Sequence, residues 1–334
     1  MTHERRPVIA ISMGDPGGIG PEVLRGALEA GATDGARSVV YGPSRAMGEH
    51  AWPVVRDAGD VDPRADVTVC DAHADDGAPF EAAPGPRGGA ISHAAVLAAI
   101  DATRLPEGHP ARANAICTGP ISKEAWFAAG LRDHTGHTEL LAERMGARRH
   151  AMAFVSEPLL VSLATAHVPL REVAGALTTD RIVDVIELSA ELCRTLGIAR
   201  PRLGVAGVNP HAGEAGALGF EDQRVIAPAV ERARAAGLCV EGPLPGDTIF
   251  RDARRTDPSS RFDMVVAMYH DQALAPLKLV AFESAVNTTL GLPAPRTSPD
   301  HGTAFGIAGT GVADCGSMVA ALRLAVALAR GGAA

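Results

Sequence analysis

Short apolar runs that do not alternate with polar residues recur along this chain, and amphipathic helical patterns separate them. Examples are PVIAISM before the helical pattern PEVLRGALEA, ANAICTG before SKEAWFAAG, and RLGVAGV before EDQRVIAPAVERARAAG. Strands that are apolar on both faces and alternate with helices indicate a mainly parallel sheet covered by helices on both sides. The sequence therefore predicts an α/β fold.

Local patterns predict one clear helix and two long loops. The segment from Thr179 to Leu196 has apolar or small residues at i, i+3 and i+4 spacing, which predicts a helix. Two stretches rich in Gly, Pro and Asp, 56–90 and Pro293–Gly311, are predicted to be loops, the first with one short strand, DVTVC. Long loops inside compact enzymes are usually functional.

Composition excludes several classes of protein. The 334 residues are enough for one large or two medium domains, while a net charge of −8 and 4% aromatic residues argue against a nucleic-acid surface. Five scattered cysteines without a C-x-x-C pair argue against a disulfide framework or a thiolate zinc site. The first residues lack a signal-peptide pattern, and the apolar C-terminal segment is interrupted by Arg323. We expect a cytoplasmic protein without membrane or nucleic-acid partners.

Five of the predicted strands end directly in polar segments that contain Gly, Pro or His. These segments are GDPGGIGPE, GPISK, AHVP, NPHAGE and YHDQ. In open α/β sheets the carboxyl ends of the strands line the ligand crevice. The sequence therefore predicts that polar groups from several strands meet at one ligand site.

Three histidines on these strand ends, His167, His211 and His270, are candidate metal ligands. Three neutral imidazoles leave open positions on a divalent cation, which is typical of a catalytic rather than a structural site. Asp247 and Asp271 are candidate carboxylates in or behind such a site. The alternative is that the three rings point to different places as ordinary loop histidines.

Other segments favour an anionic ligand. The turn GDPGGIGPE begins a helix with free N–H groups, although it is neither a dinucleotide fingerprint nor a Walker motif. Lys123 begins a predicted helix, where a cation is unfavourable unless an anion binds beside it; a solvated lysine is the alternative. Thr138 is predicted to cap the helix TELLAE, and with His137 it can donate to a phosphate. Lys278 and Arg296 suit the same ligand if they converge on it.

Taken together, these blocks resemble the PdxA family, the 4-hydroxythreonine-4-phosphate dehydrogenases of vitamin B6 biosynthesis. The motifs TGPISK, GHTE, NPHAGE, AMYHDQ and NTTLGLP follow MGDPGGIGPE in family order, and PRTS, DHGTA and GTGVAD complete the series. The resemblance covers nearly the whole chain. It implies two α/β/α domains with a central cleft, similar to isopropylmalate and isocitrate dehydrogenases and unlike a Rossmann fold.

The resemblance also implies a role for individual residues. The metal ligands correspond to His167, His211 and His270, the substrate-binding residues to His137, Thr138, Lys278, Asn287 and Arg296, and the cofactor loop to His301, Gly302, Thr303 and Gly306. Residues 1–130 with 285–334 are expected to form a first domain that carries the cofactor loop. Residues 131–284 are expected to form a second domain with the metal ligands and dimer contacts. Family members are homodimers whose metal site is built from both subunits.

The implied reaction is the NAD- or NADP-dependent oxidation of 4-phosphohydroxy-L-threonine at its secondary hydroxyl. The β-keto acid that forms decarboxylates to 3-amino-2-oxopropyl phosphate. One divalent cation per subunit (Zn, Mg, Co or Mn) is expected to bind the substrate, and Asp271 or Asp247 to assist the proton transfer.

Two departures from the family pattern concern the substrate. Ala294-Pro295 replaces a bulky apolar pair, and Ala273 replaces a glycine after HDQ. The alternatives are therefore a paralogous dehydrogenase for 4-phosphothreonate or 4-phosphoerythronate, or one for an aromatic cis-dihydrodiol; the GHTE block favours a phosphorylated substrate. Two other classes stay open, namely a metal-dependent hydrolase and a metabolite-binding protein without activity.

Overall fold

The structure is a computed structural model that describes residues 6–72, 77–134 and 136–331. It divides into two compact units, one of residues 1–147 with 292–334 and one of residues 148–291. These limits lie later in the chain than the sequence-based limits of 130/131 and 284/285. The roles assigned to the two domains from the sequence stay predictions.

Strands and helices alternate through both units, so the predicted α/β class is confirmed. The first segment contains β1 (Val8–Ser12), α1 (Gly20–Glu29), β2 (Arg37–Tyr41), β3 (Val54–Val55), β4 (Val67–Cys70), α2 (Pro86–Ala102), β5 (Ala115–Thr118), α3 (Lys123–Ala128) and α4 (His137–Met145). The middle segment contains β6 (Ala151–Val155), β7 (Leu160–Leu163), α5 (Leu170–Ala176), α6 (Thr179–Thr195), β8 (Arg202–Ala206), α7 (Ala227–Ala235), β9 (Cys239–Leu244), β10 (Met264–Ala267), α8 (His270–Ala281) and β11 (Val286–Leu290). The last segment contains β12 (Arg296–Pro299) and α9 (Gly316–Gly331).

The sheet of the first unit is parallel throughout its described pairs. Its strand order is β3-β4-β2-β1-β5-β12. All five residues of β1 and all four of β5 are buried, as expected for strands covered on both faces. One core cluster of this unit lies between the sheet and α2, and it includes Val96, Ile100, Ile116, Trp126 and Leu140.

The sheet of the second unit is mixed. Its order is β11-β6-β7-β10-β8-β9, in which β6 runs antiparallel to both β11 and β7, while β7, β10, β8 and β9 pair in parallel. Phe154, Val161, Phe262 and Leu277 belong to its core. The prediction of a mainly parallel sheet is therefore confirmed, and the antiparallel pairs are those of β6.

The clearest predicted helix is confirmed. In α6, the predicted inward residues Ile182, Val185 and Ile186 are fully buried. Thr178 caps this helix, because its hydroxyl accepts a hydrogen bond from the backbone N–H of Arg181 at 3.1 Å.

Three local predictions were wrong. The segment Pro293–Gly311 is not entirely a loop, since it contains β12. The other predicted loop, 56–90, contains the start of α2. Its residues 73–76 lie outside the described part of the chain. Thr138 does not cap α4, because that helix begins one residue earlier, at His137, after an N-cap at Gly136.

Within the described residues, no helix combines the length and the apolar character that crossing a bilayer requires.

Candidate active site

Glycine-rich turns after β1 and β5 contact each other at the carboxyl edge of the first unit. Gly14 has φ +88°, and a Cβ there would lie 2.4 Å from the carbonyl oxygen of Pro120. The N–H of Asp15 donates to that same oxygen at 2.9 Å. A larger residue at position 14 would push the two turns apart, so the glycine is required here. Two of the five predicted strand-end segments, GDPGGIGPE and GPISK, thus lie in contact.

Arg296 is a buried cation beside this edge. It is 2% exposed, and its Nε and Nη2 donate to the hydroxyl of Thr118 at 3.1 and 2.6 Å. Burial lowers the pKa of Arg296 to about 10, with the charge of Glu139 acting in the opposite direction. The guanidinium therefore stays protonated at neutral pH, and an anionic ligand would offset the cost of burying it.

His137, the first residue of α4, lies in the positive field of this arginine. Burial, followed by the charges of Arg296 and Lys123, lowers the pKa of His137 well below its usual range. The imidazole is therefore neutral at pH 7. Its Nε2 is buried and has no hydrogen-bond partner among the described residues. A neutral ring with an unused nitrogen can donate a hydrogen bond to a ligand oxygen without adding a third positive charge.

Trp126 fixes one side of the His137 ring. The two rings meet edge to face with centroids 5.8 Å apart, and the indole is 1% exposed. The indole N–H donates to the hydroxyl of Ser92 in α2 at 3.0 Å. The sequence analysis placed neither Trp126 nor Thr118 in the site, because both roles depend on partners that are distant along the chain.

The loop predicted to bind the cofactor packs on the turn after β1. The carbonyl oxygen of Thr303 accepts a hydrogen bond from the N–H of Ile19 at 2.9 Å, and a Cβ on Gly18 would lie 2.8 Å from that oxygen. The Nδ1 of His301 contacts the carbonyl oxygen of Gly302 at 3.0 Å, while its Nε2 has no partner in the described part of the chain. Gly306 lies in a short 3-10 turn, Phe305–Ile307.

In the second unit, two of the three predicted metal ligands lie side by side. The ring centroids of His167 and His270 are 5.8 Å apart, with 40° between the ring planes. His270 begins α8, and its Nδ1 contacts the carboxylate of Asp271 at 2.7 Å. A histidine held at one nitrogen by a carboxylate is typical of metal ligands, because the bond orients the other nitrogen.

His211 lies in an unusual turn. Residues 211–215 all have left-handed backbone angles, and four of the five carry side chains. Each such residue costs about 1–2 kcal/mol, so surrounding contacts must hold the turn in place. In the described residues, no group of three or more His, Cys, Asp or Glu side chains is arranged to hold a metal ion. His211 is therefore not grouped with His167 and His270 within one chain.

The carboxylate of Asp222, which was not predicted from the sequence, anchors Val208 and Asn209 just before this turn. Its side chain is fully buried and accepts hydrogen bonds from the N–H of Val208 at 2.8 Å, the N–H of Asn209 at 3.2 Å and the Asn209 side chain at 2.8 Å. Gly207 leaves room for it, since a Cβ there would lie 2.6 Å from the carboxylate.

A cavity of about 620 Å³ lies beside this turn in the second unit. Its lining includes Asn209, His211, Asp247, Tyr269 and Gln272. Gln272 fixes one wall, because its side chain accepts from the N–H of Met268 and donates to the carbonyl oxygen of Gly207, both at 2.7 Å. The structure thus brings Asp247 and His211 to one cavity.

The remaining predicted substrate residues lie on different elements of the second unit. Asn287 is on β11, and its buried Oδ1 has no partner among the described residues. The Nζ of Lys278 lies 5.0 Å from the ring centroid of Phe282, both in the region of α8.

The site and the fold define an α/β protein with a buried arginine and a neutral histidine, Arg296 and His137, in one unit, and a cavity lined by His211 and Asp247 in the other. The model of the family "Pyridoxal phosphate biosynthetic protein PdxA" matches residues 38–325. A 4-hydroxythreonine-4-phosphate dehydrogenase of Desulforapulum autotrophicum is 41% identical, with 96% of this chain and 95% of that protein covered. A D-threonate 4-phosphate dehydrogenase of Pectobacterium atrosepticum is 39% identical, with 96% and 99% covered.

A solved structure has the same fold. The crystal structure of a 4-hydroxythreonine-4-phosphate dehydrogenase from Klebsiella pneumoniae superposes with a TM-score of 0.84 at 38% identity, with 97% of this chain and 99% of that chain covered. This chain belongs to the PdxA family. The prediction of an oxidoreductase that acts on a CH–OH group is confirmed, since these relatives are dehydrogenases.

Proposed function

We propose that the chain oxidises 4-phosphohydroxy-L-threonine at its secondary hydroxyl, with NAD or NADP as the acceptor, in pyridoxal phosphate biosynthesis. The observation that carries this proposal is the buried Arg296 together with the neutral, half-buried His137, whose Nε2 is buried without a partner among the described residues; this pair suits a phosphate group. The full-length similarity to dehydrogenases named for this substrate supports it. Such a metabolic role belongs in the cytoplasm.

The proposed substrate-binding residues divide into two sets. Arg296, His137 and the adjacent Thr138 would hold the phosphate, and Lys278 and Asn287 would hold the rest of the substrate. Arg296 offers a fixed fork of donors, because two of its N–H groups already bond to Thr118. This orientation would fix the distance between the phosphate and the carbon that loses hydride.

The residues present fit a divalent cation. His167 and His270 are close enough to share one ion, and the bond between His270 and Asp271 leaves the other ring nitrogen for it. His211 would be the third ligand, supplied in a homodimer by the other subunit, since one chain does not group the three. When bound, the cation polarises the substrate hydroxyl and the nicotinamide accepts the hydride.

Asp247 is the proposed acceptor of the hydroxyl proton. It lines the same cavity as His211, whereas Asp271 is occupied in orienting His270. The loop with His301, Gly302, Thr303 and Gly306 would bind the cofactor, because its anchorage on the turn after β1 places it at the carboxyl edge of the sheet.

A panel assay tests the proposal. The purified protein is given NAD or NADP, a divalent cation and one of three substrates: 4-phosphohydroxy-L-threonine, 4-phosphothreonate or an aromatic cis-dihydrodiol. We expect NADH or NADPH formation with 4-phosphohydroxy-L-threonine, and loss of both metal content and turnover in a folded His211→Ala variant. Full activity of metal-free protein would contradict the role of the cation, and product release without NAD or NADP would indicate a hydrolase.

A second candidate substrate is 4-phosphothreonate. The similarity to a D-threonate 4-phosphate dehydrogenase favours it, at 39% identity over almost the entire chain. The same phosphate pocket would serve both substrates, so the two differ only in the groups near the reacting carbon. A higher kcat/KM for 4-phosphothreonate in the panel would replace the first proposal with this one.

A further inference from the structure

Lys123 occupies a position that its own helix does not favour. It is the first residue of α3, where the helix dipole opposes a positive charge. The N-terminus of α3 is already capped by another residue, because the hydroxyl of Ser122 accepts a hydrogen bond from the N–H of Ala125 at 3.1 Å. The lysine therefore contributes nothing to the start of α3 that would explain its presence.

The side chain of Lys123 extends toward the start of α4 in the same unit. Its Cε would lie 3.4 Å from a Cβ placed on Gly136, the residue before His137. The φ of Gly136 is 167°, an extended angle that any residue adopts, so the backbone does not demand glycine there. A Cβ there would be in ordinary van der Waals contact with the lysine stem, which shows that the stem lies against the start of α4.

The charges around this point sum to a positive value. Lys123 and Arg296 both act on His137, and in the part of the chain that the structure describes Lys123 forms no ion pair. The carboxylate nearest to Gly136 is that of Glu139, with Oε2 at 3.7 Å from the same Cβ position. Two cations and one carboxylate leave a net charge of +1 around a ring nitrogen that has no partner.

We propose that Lys123 is a further substrate-binding residue, whose ammonium group contacts the phosphate held by Arg296 and His137. This inference rests on the proposed function of the same pocket. It also makes the pocket selective: a point charge beside a fixed guanidinium favours a dianionic phosphate over a singly charged carboxylate. Phosphorylated substrates are then preferred over an aromatic cis-dihydrodiol acid.

Inorganic phosphate is the probe for this proposal, and Trp126 is the reporter. The indole lies 5.8 Å from His137, whereas the other tryptophan, Trp52, stacks on His50. A Trp52→Phe parent thus leaves one fluorophore at the pocket, and titration calorimetry measures the same affinity independently. We expect Lys123→Met to weaken phosphate binding by about tenfold or more, and Lys123→Arg to retain binding within about threefold.

A matched control is the neighbouring Glu124→Gln, which removes an exposed charge from the same helix turn and is expected to leave phosphate binding unchanged. In turnover, Lys123→Met should raise KM for the phosphorylated substrate with little change in kcat, because the contact does not involve the reacting carbon.

Unchanged phosphate affinity in Lys123→Met overturns the role of Lys123 and leaves the proposed function standing. A parent protein that binds no phosphate and reduces no NAD or NADP with phosphorylated substrates overturns both. A parent that turns over normally, while Glu124→Gln gains about as much phosphate affinity as Lys123→Met loses, overturns the specific contact in favour of a general surface-charge effect.

Discussion

At the residue scale, the sequence identifies which residue types form the site. Their burial and their protonation states are determined by the fold. Arg296 and His137 were predicted as substrate residues from their motifs. Their burial and the neutral state of His137 depend on Thr118, Lys123 and the packing of α4, which no local pattern encodes. Trp126 and Asp222 were missed for the same reason, since each acts on a residue that it meets only in the folded chain.

The bond between Thr118 and Arg296 gives a prediction for stability. Thr118→Val keeps the shape of the side chain but removes the hydroxyl that accepts from two guanidinium N–H groups. We expect a loss of about 1–3 kcal/mol in the free energy of unfolding, because buried donors lose their acceptor. Thr118→Ser is the matched control, since it keeps the hydroxyl. Urea unfolding of both variants measures the difference, and equal stabilities would show that the bond contributes nothing.

The lowered pKa of His137 predicts a pH dependence of stability. The ordinary pKa is 6.5, and the folded protein holds the ring neutral well below that value. As the pH falls below about 6.5, the unfolded chain takes up a proton that the folded chain does not, so stability is lost. His93 contributes in the same direction, because burial lowers its pKa too.

We expect His137→Gln to reduce this loss, by at most about 1.4 kcal/mol per pH unit. The measurement is the free energy of unfolding of both proteins between about pH 8 and pH 5. Parallel curves for the two proteins would contradict the neutral state of the ring.

At the scale of elements, the sequence predicted long periodic segments well and short or strained ones poorly. The helix α6 was predicted almost to the residue, because its apolar face repeats over nearly five turns. The four-residue strand β12 was missed, since it begins after two prolines and an alanine and resembles a loop. The left-handed turn at His211 was also missed, because four of its five residues are not glycine and no local pattern predicts left-handed angles for them.

The anchoring of this turn leads to a third prediction. Asp222→Asn keeps the size of the side chain but turns an amide N–H toward the donors of Val208 and Asn209. We expect faster hydrogen exchange at the N–H of both residues and a loss of about 1–3 kcal/mol in stability. The control is Glu221→Gln, which alters a half-buried carboxylate bonded to the same Asn209 side chain at 2.8 Å. Equal exchange in both variants would show that Asp222 does not hold the turn.

At the scale of the whole molecule, a single chain leaves several large apolar side chains of the second unit exposed. Leu279 is 86% exposed and Phe282 is 72% exposed, both in or just after α8, which begins at His270. Leu170 is 72% exposed and follows His167 by three residues. Large exposed apolar side chains beside two candidate ligands favour a protein–protein contact at this point. The sequence predicted a homodimer from family resemblance, and these exposed residues supply a physical reason for it.

The exposed face of α8 gives the fourth prediction. Leu279→Asp places a charge in the proposed dimer contact, and because the residue is exposed in the single chain, the fold should persist. We expect a shift from dimer to monomer in analytical ultracentrifugation, together with a loss of bound metal. Glu283→Gln, a nearby exposed change without a new charge, is the control. A variant that stays dimeric with full metal content would remove α8 from the interface.

Mixing inactive subunits tests the shared site directly. The structure groups His167 with His270 but not with His211, so we expect the third ligand to come from the other subunit. In a heterodimer of His211→Ala and His270→Ala chains, one site would then carry both changes and the other neither. A statistical mixture should recover about a quarter of the wild-type metal content and activity, because half of the dimers are mixed and each has one intact site. If all three ligands belonged to one chain, every site would carry one change, and refolding the two variants together would recover nothing.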